Sequence, residues 1–166
     1  ISPRLVPGKS EHLVAADSDE HDERGFITES AEVRTAMVDK RMRKIQGLMD
    51  ELQEPECIGA EDFDTLLVGF GSTYGAIREA VGLLNEQGKE SYAALVFGDV
   101  YPLPQAQLTK KAAKALRIID VEQNATGQLA QLIRQQTGIE CTGRILKYDG
   151  RQITAQEIVD RMGELR

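Results

Sequence analysis

Three short strings hold the residues best suited to chemistry in this chain. The first is Gly69-Phe70-Gly71-Ser72-Thr73-Tyr74-Gly75, set between an apolar run and an amphipathic one. A strand-to-helix turn of this type aims the backbone N–H groups of Gly71, Ser72 and Thr73 at an anion on the helix dipole. Its spacing is GxGxxxG rather than GxGxxG, and the GK[ST] of a P-loop is missing. Phe97 and Gly98 stand where a dinucleotide fold needs a ribose-binding acid. Two readings of these glycines stay open: close packing of helix on sheet, or contact with an anion or a partner.

The second string is Glu122-Gln123-Asn124-Ala125-Thr126-Gly127-Gln128, again after an apolar run. Ligands of open α/β sheets bind beyond the carboxyl ends of the strands. Both strings belong to that edge and can line one surface. Asn124, Thr126, Gly127 and Gln128 therefore join Gly71, Ser72 and Thr73 as candidate contact residues. The plainer alternative is that Asn124 or Thr126 caps the following helix. The third string, His21-Asp22-Glu23-Arg24-Gly25, puts an imidazole among carboxylates. A metal needs about three converging ligands, and His12 is the only other histidine. Structural or interface use is expected there, and no metal. No GxSxG elbow and no supported Cys–His pair exist, so no catalytic residue is assigned.

Composition narrows the function classes further. The two cysteines, Cys57 and Cys141, cannot supply the four thiolates of an ordinary iron–sulfur cluster. So low a count fits a reducing cytoplasm. Net charge is −7 and the isoelectric point is near 4.9, which repels nucleic acid. Two basic groups, Lys40-Arg41-Arg43-Lys44 and Lys110-Lys111-Lys114-Arg117, read as solvated helix faces. No apolar run approaches the roughly 18 residues of a membrane span. The start, with Pro3 and Pro7, is no signal peptide. Ile1 in place of Met suggests a piece of something longer.

The elements that must position these strings fall into two regions. Residues 1–60 are expected to form a polar, irregular segment with one long helix. A loop runs through Asp17, Asp19 and Glu20 to a turn at Gly25. Thr28 or Ser30 then caps a helix from about Ala31 to Gln53. Val38, Met42, Ile45, Met49 and Leu52, spaced 4, 3, 4 and 3, give it a narrow apolar stripe suited to a partner surface. Pro55 stops it. Residues 61–166 alternate strands and helices. Strands are expected at Thr65–Phe70, Tyr92–Phe97, Arg117–Val121 and Arg144–Tyr148. Helices are expected near Tyr74–Gln87, Gln107–Leu116, Gly127–Gln136 and after Thr154, where Glu157 completes a capping box. Val100–Pro104 reads as a loop. The alternation implies an α/β fold: an open, mostly parallel, doubly wound sheet.

Read as strings, EHDERGFITE, MVDKRMRK, LLVGFGSTYGAIREAV, VEQNATGQLAQLIRQQTGI and GRILKYDGR resemble one family. It is the C-terminal half of the alpha subunit of 2-oxoacid:ferredoxin oxidoreductases, 2-oxoglutarate type. The resemblance runs from about Asp19 to Ile158 and departs at Phe26, where the family string carries a histidine. It implies a transketolase C-terminal-like domain of an enzyme that oxidatively decarboxylates a 2-oxoacid with coenzyme A, giving acyl-CoA, carbon dioxide and reduced ferredoxin. It implies thiamine diphosphate, Mg²⁺, [4Fe-4S] clusters and CoA in the whole enzyme and none in this stretch. It also implies a beta subunit and ferredoxin as partners, in a homo- or hetero-oligomer. The preceding pyrimidine-binding domain and the GDG…N signature are absent, so the chain is expected to be inactive alone. Three roles remain open: assembly with a share of the substrate or CoA channel, a stand-alone anion- or nucleotide-binding module, and a pure dimerisation domain.

Overall fold

The computed structural model describes residues 3–14 and 19–165, so Ile1 and Asp17 lie outside the described residues. The chain divides into two compact units, Ile1–Glu51 and Leu52–Arg166.

In the first unit, helix α1 spans Ala31–Met49. Ser30 is its N-cap, accepting the Val33 N–H at 3.3 Å. Thr28, the other expected cap, accepts the Ser30 N–H instead. The expected helix ran on to Gln53, but it ends four residues earlier. Gln53 and Glu54 have other partners. The Gln53 N–H donates to Asp99 at 3.1 Å, and the Glu54 carboxylate accepts the N–H groups of Ala106 and Gln107, each at 2.9 Å. No residue of α1 is buried: in its stripe Met42 and Met49 are exposed, and Val38 and Ile45 are half-buried. Before α1, Gly25 takes φ +86° in a tight turn whose Asp22 carboxylate accepts the N–H groups of Arg24 and Phe26. Glu20 bonds Arg34 at 3.1 Å and Arg41 at 2.7 Å. The Arg41 guanidinium, helped by Arg34, holds the Glu20 carboxyl down at about 2.

The second unit is a five-stranded sheet: β1 (Cys57–Gly59), β2 (Thr65–Phe70), β3 (Tyr92–Phe97), β4 (Arg117–Glu122) and β5 (Gly143–Leu146). Its order is β1-β3-β2-β4-β5. Every pairing is parallel except β1 with β3. β1 lies in the segment expected to be linker. Its three residues carry too little pattern to announce a strand, and β3 supplies the template. The helices are α2 (Tyr74–Glu86), α3 (Ala106–Ala112), α4 (Gln128–Thr137) and α5 (Ala155–Glu164). α3 stops short of the expected Leu116 because the N–H groups of Leu116 and Arg117 donate to the Asp64 carbonyl, turning the chain into β4. β5 stops at Leu146 rather than Tyr148, and the next side chain, Lys147, is buried against Asp149 and Glu157. The Thr154–Glu157 capping box forms as expected.

The core has two sides. Leu67, Ile119, Val121 and Ile145 face one side with Ile77, Val81, Ile158 and Met162 of α2 and α5. Leu66, Val68, Leu95 and Ile118 face the other with Leu108 of α3 and Leu129 and Ile133 of α4. The unit is thus the doubly wound α/β sheet that the alternation required. No helix among the described residues is long and apolar enough to cross a membrane.

Candidate functional site

β2 and β4 are neighbours, and the helices that follow them cover opposite faces of the sheet. Their carboxyl ends therefore flank the topological switch point, where an open α/β sheet leaves a crevice. Gly71–Thr73 follow β2 as a 3₁₀ turn, and 123–127 follow β4. The fold thus puts the two candidate strings on adjacent strand ends.

Within the first string the glycines divide by role. A Cβ on Gly69 would lie 2.4 Å from Ile77 Cδ1 and 3.0 Å from the Val121 carbonyl, so this glycine permits close packing of α2 on the sheet. Gly71 has open space around it and φ +56°, so its need is conformational. Gly75 shows neither constraint. Thr73 is buried, its hydroxyl donating to the Phe70 carbonyl at 2.9 Å. Ser72 is exposed.

Within the second string the surrounding fold uses up most of the polar groups. Glu122 is wholly buried. One carboxylate oxygen accepts the N–H of Leu129 at 2.8 Å and of Ala130 at 3.2 Å. It thereby caps α4 from the strand, and Gly127, at φ +66°, occupies the N-cap position with no side chain. Asn124 and Thr126 do not cap the helix. Asn124 builds the turn: its Oδ1 accepts from Thr126 and Gly127, and its Nδ2 donates to the other Glu122 oxygen at 2.5 Å. Thr126 and Gln128 remain exposed. The polar side chains left facing solvent at the switch point are Ser72, Thr126 and Gln128.

Asp120 was not among the expected site residues. It is wholly buried on the same face as Glu122, and neither of its oxygens has a donor among the described residues. Burial first, then the neighbouring Glu122 carboxyl and its charge, push the Asp120 carboxyl up to about 8, against a smaller downward pull from Arg144. A bond between two carboxyl groups exists only when one holds a proton. The sequence signal was two acids at i and i+2 of an apolar strand, which puts both on one face. Nearby, burial pushes the Cys141 thiol up to about 12. Cys141 and Arg144 line a shallow polar cleft of about 160 Å³ with Ala130, Arg134 and Glu140.

The third string forms the turn described above, and its His21 is exposed. No three His, Cys, Asp or Glu side chains converge on a metal position among the described residues. The described residues therefore do not fit a holder for Mg²⁺, and two cysteines do not fit a four-thiolate cluster.

Comparison with known proteins decides the family. The pyruvate:ferredoxin oxidoreductase core domain II family matches residues 63–158. The chain belongs to this family. As a core domain II it is 34% identical over 161 residues to 2-oxoacid:ferredoxin oxidoreductase 2, subunit alpha, of Aeropyrum pernix, covering 95% of this chain and 25% of that protein. A solved 2-oxoglutarate:ferredoxin oxidoreductase from Magnetococcus marinus, with 2-oxoglutarate, coenzyme A and succinyl-CoA bound, superposes with a TM-score of 0.79 at 30% identity. That match covers 99% of this chain and 29% of the other. A split-gene transketolase, an inactive beta4 tetramer, superposes on 69% of this chain and 42% of its own, with a TM-score of 0.52 and 15% identity; this likeness is one of fold alone. The chain spans about a quarter of the length of the curated relatives it matches.

Proposed function

We propose that this core domain II serves a cytoplasmic 2-oxoacid:ferredoxin oxidoreductase as an assembly domain that also borders the substrate or CoA channel. The whole enzyme would convert a 2-oxoacid, CoA and oxidised ferredoxin to acyl-CoA, carbon dioxide and reduced ferredoxin. Thiamine diphosphate, Mg²⁺ and [4Fe-4S] clusters would be held by other domains and by a beta subunit. 2-Oxoglutarate is the favoured substrate, because the solved relative carries it. The observation that carries the channel role is the placement of Ser72, Thr126 and Gln128 on the two turns flanking the switch point. Ser72 and Gln128 have donors and acceptors to spare and the Thr126 hydroxyl, which donates to Asn124 Oδ1 at 3.5 Å, keeps its lone pairs, whereas Asn124, Thr73 and Gly127 are committed to the fold.

The test uses the full alpha subunit assembled with its beta subunit. Ser72→Ala and Gln128→Ala each remove a hydrogen bond of about 0.5–1.5 kcal/mol from a bound ligand. The expected result is a rise in KM for CoA or the 2-oxoacid of about two- to tenfold with kcat little changed, the pattern of lost uniform binding. Unchanged constants in the double variant would remove the channel role and leave assembly alone.

A further inference from the structure

Asp120 is the least accommodated side chain of the sheet unit. It has no exposure, and both oxygens lack a donor among the described residues. On one side β2 pairs Val68 with it, which brings only hydrocarbon. On the other side β5 pairs Arg144 with it. The position a Gly127 Cβ would take lies 3.3 Å from Asp120 Oδ2 and 3.4 Å from Arg144 Nε, so the guanidinium is near without bonding the carboxyl. The remaining charged or titratable neighbours are Glu122 on β4, the Cys141 thiol before β5, and the Arg134–Glu140 ion pair at the cleft rim beside α4.

Two ionised carboxylates on one buried face repel, and no bonded cation offsets them. A single proton between them removes the repulsion and supplies the missing hydrogen bond. Its place follows from what each group already accepts. Glu122 takes three donors, from Leu129, Ala130 and Asn124, so its oxygens already serve as acceptors. Asp120 takes none. We infer that Asp120 and Glu122 share one proton, carried by Asp120, and that this O–H···O bond holds Glu122 in position beneath the 123–127 turn. Asp120 is thus a positioning residue: it acts on the turn and on the start of α4 through Glu122. The inference goes beyond the proposed function and holds whatever the turn touches.

The test is carboxyl-carbon NMR of the 166-residue chain carrying ¹³C-labelled aspartate and glutamate. One aspartate, assigned to Asp120, should titrate near pH 8 while ordinary carboxyls titrate near 4. Aspartates all titrating below about pH 5 would overturn the shared proton, and a glutamate titrating near 8 in its place would overturn the assignment to Asp120. Amide protection of Leu129 and Ala130, normalised for pH, reads the positioning. In the native chain it should fall by about tenfold or more as pH rises toward 8 and level off above it, one pH unit of linkage being a tenfold change. In Asp120→Asn, which keeps an N–H donor for Glu122, it should change less than about twofold on the same scale. Equal loss in both proteins would overturn the positioning role. The native titration needs no variant, so it stands even where Asp120→Asn folds poorly.

Discussion

Glu122 performs the capping that one reading of the sequence assigns to Asn124 or Thr126. Helix α4 starts at a left-handed glycine with no side chain to offer, and a strand carboxylate supplies both bonds. Glu122→Ala should leave two buried N–H groups unpaired and lower stability by about 2–3 kcal/mol, read by urea denaturation. Asp120 predicts a pH dependence. Folding raises its carboxyl from the ordinary 3.8 to about 8. Between those values the folded chain keeps a proton that the unfolded chain releases, so stability falls as pH rises through that window and levels off above 8. Asp120→Asn should lack this contribution and gain on the native protein by on the order of 1–3 kcal/mol between pH 4 and pH 8. The two thiols should also separate. Cys57 is exposed, whereas the Cys141 thiol is pushed up to about 12, so little of it is thiolate at pH 8. Alkylation at pH 8 should modify one cysteine quickly and leave the other, with mass spectrometry placing the label on Cys57.

At the scale of elements, one glycine string conceals three different needs. Gly69→Ala would drive a methyl into Ile77 and the Val121 carbonyl and should cost about 1–3 kcal/mol. Gly75→Ala, inside α2 with open space around it, should be neutral or stabilising by up to about 1 kcal/mol. Thermal unfolding of the two variants separates packing from ligand contact as the reason for the motif. The element boundaries teach a related lesson. Periodicity located α2, β2 and β3 closely because their apolar faces meet the sheet directly. It overran α1, and it overran α3, whose end is set by a remote partner: the Asp64 carbonyl takes the N–H groups of Leu116 and Arg117. Strand β1 was illegible because three residues have no period to read, and only the open edge of β3 makes them a strand.

At the scale of the molecule, the α1 stripe and the switch-point turns are the two surfaces proposed to meet partners. Met42 and Met49 are each about half exposed, and no residue of α1 is buried. If the stripe serves assembly, Met42→Glu with Met49→Glu should reduce association in sedimentation, and an unchanged state would set that role aside. The isolated chain should give no heat with NAD or ATP in calorimetry. β3 ends in Phe97 without an acid, and Glu122 already holds the first donors of α4. Micromolar binding would revive the reading of a stand-alone nucleotide module.

The amino-acid sequence alone determined the alternation of strand and helix, the doubly wound sheet, the family strings and the common carboxyl edge of the two candidate turns. These are local patterns, or follow from the handedness and order of βα units. Only the tertiary structure decided which polar groups are free. Asn124, Thr126 and Gln128 look equivalent in the string. The buried Glu122 carboxylate claims the α4 N–H groups and Asn124, and leaves Thr126 and Gln128 outside. Asp120 looked like an ordinary strand residue. Packing α4 and β5 around it removed its water without supplying a donor, and that desolvation, set by residues distant in sequence, made it the most perturbed carboxyl of the sheet.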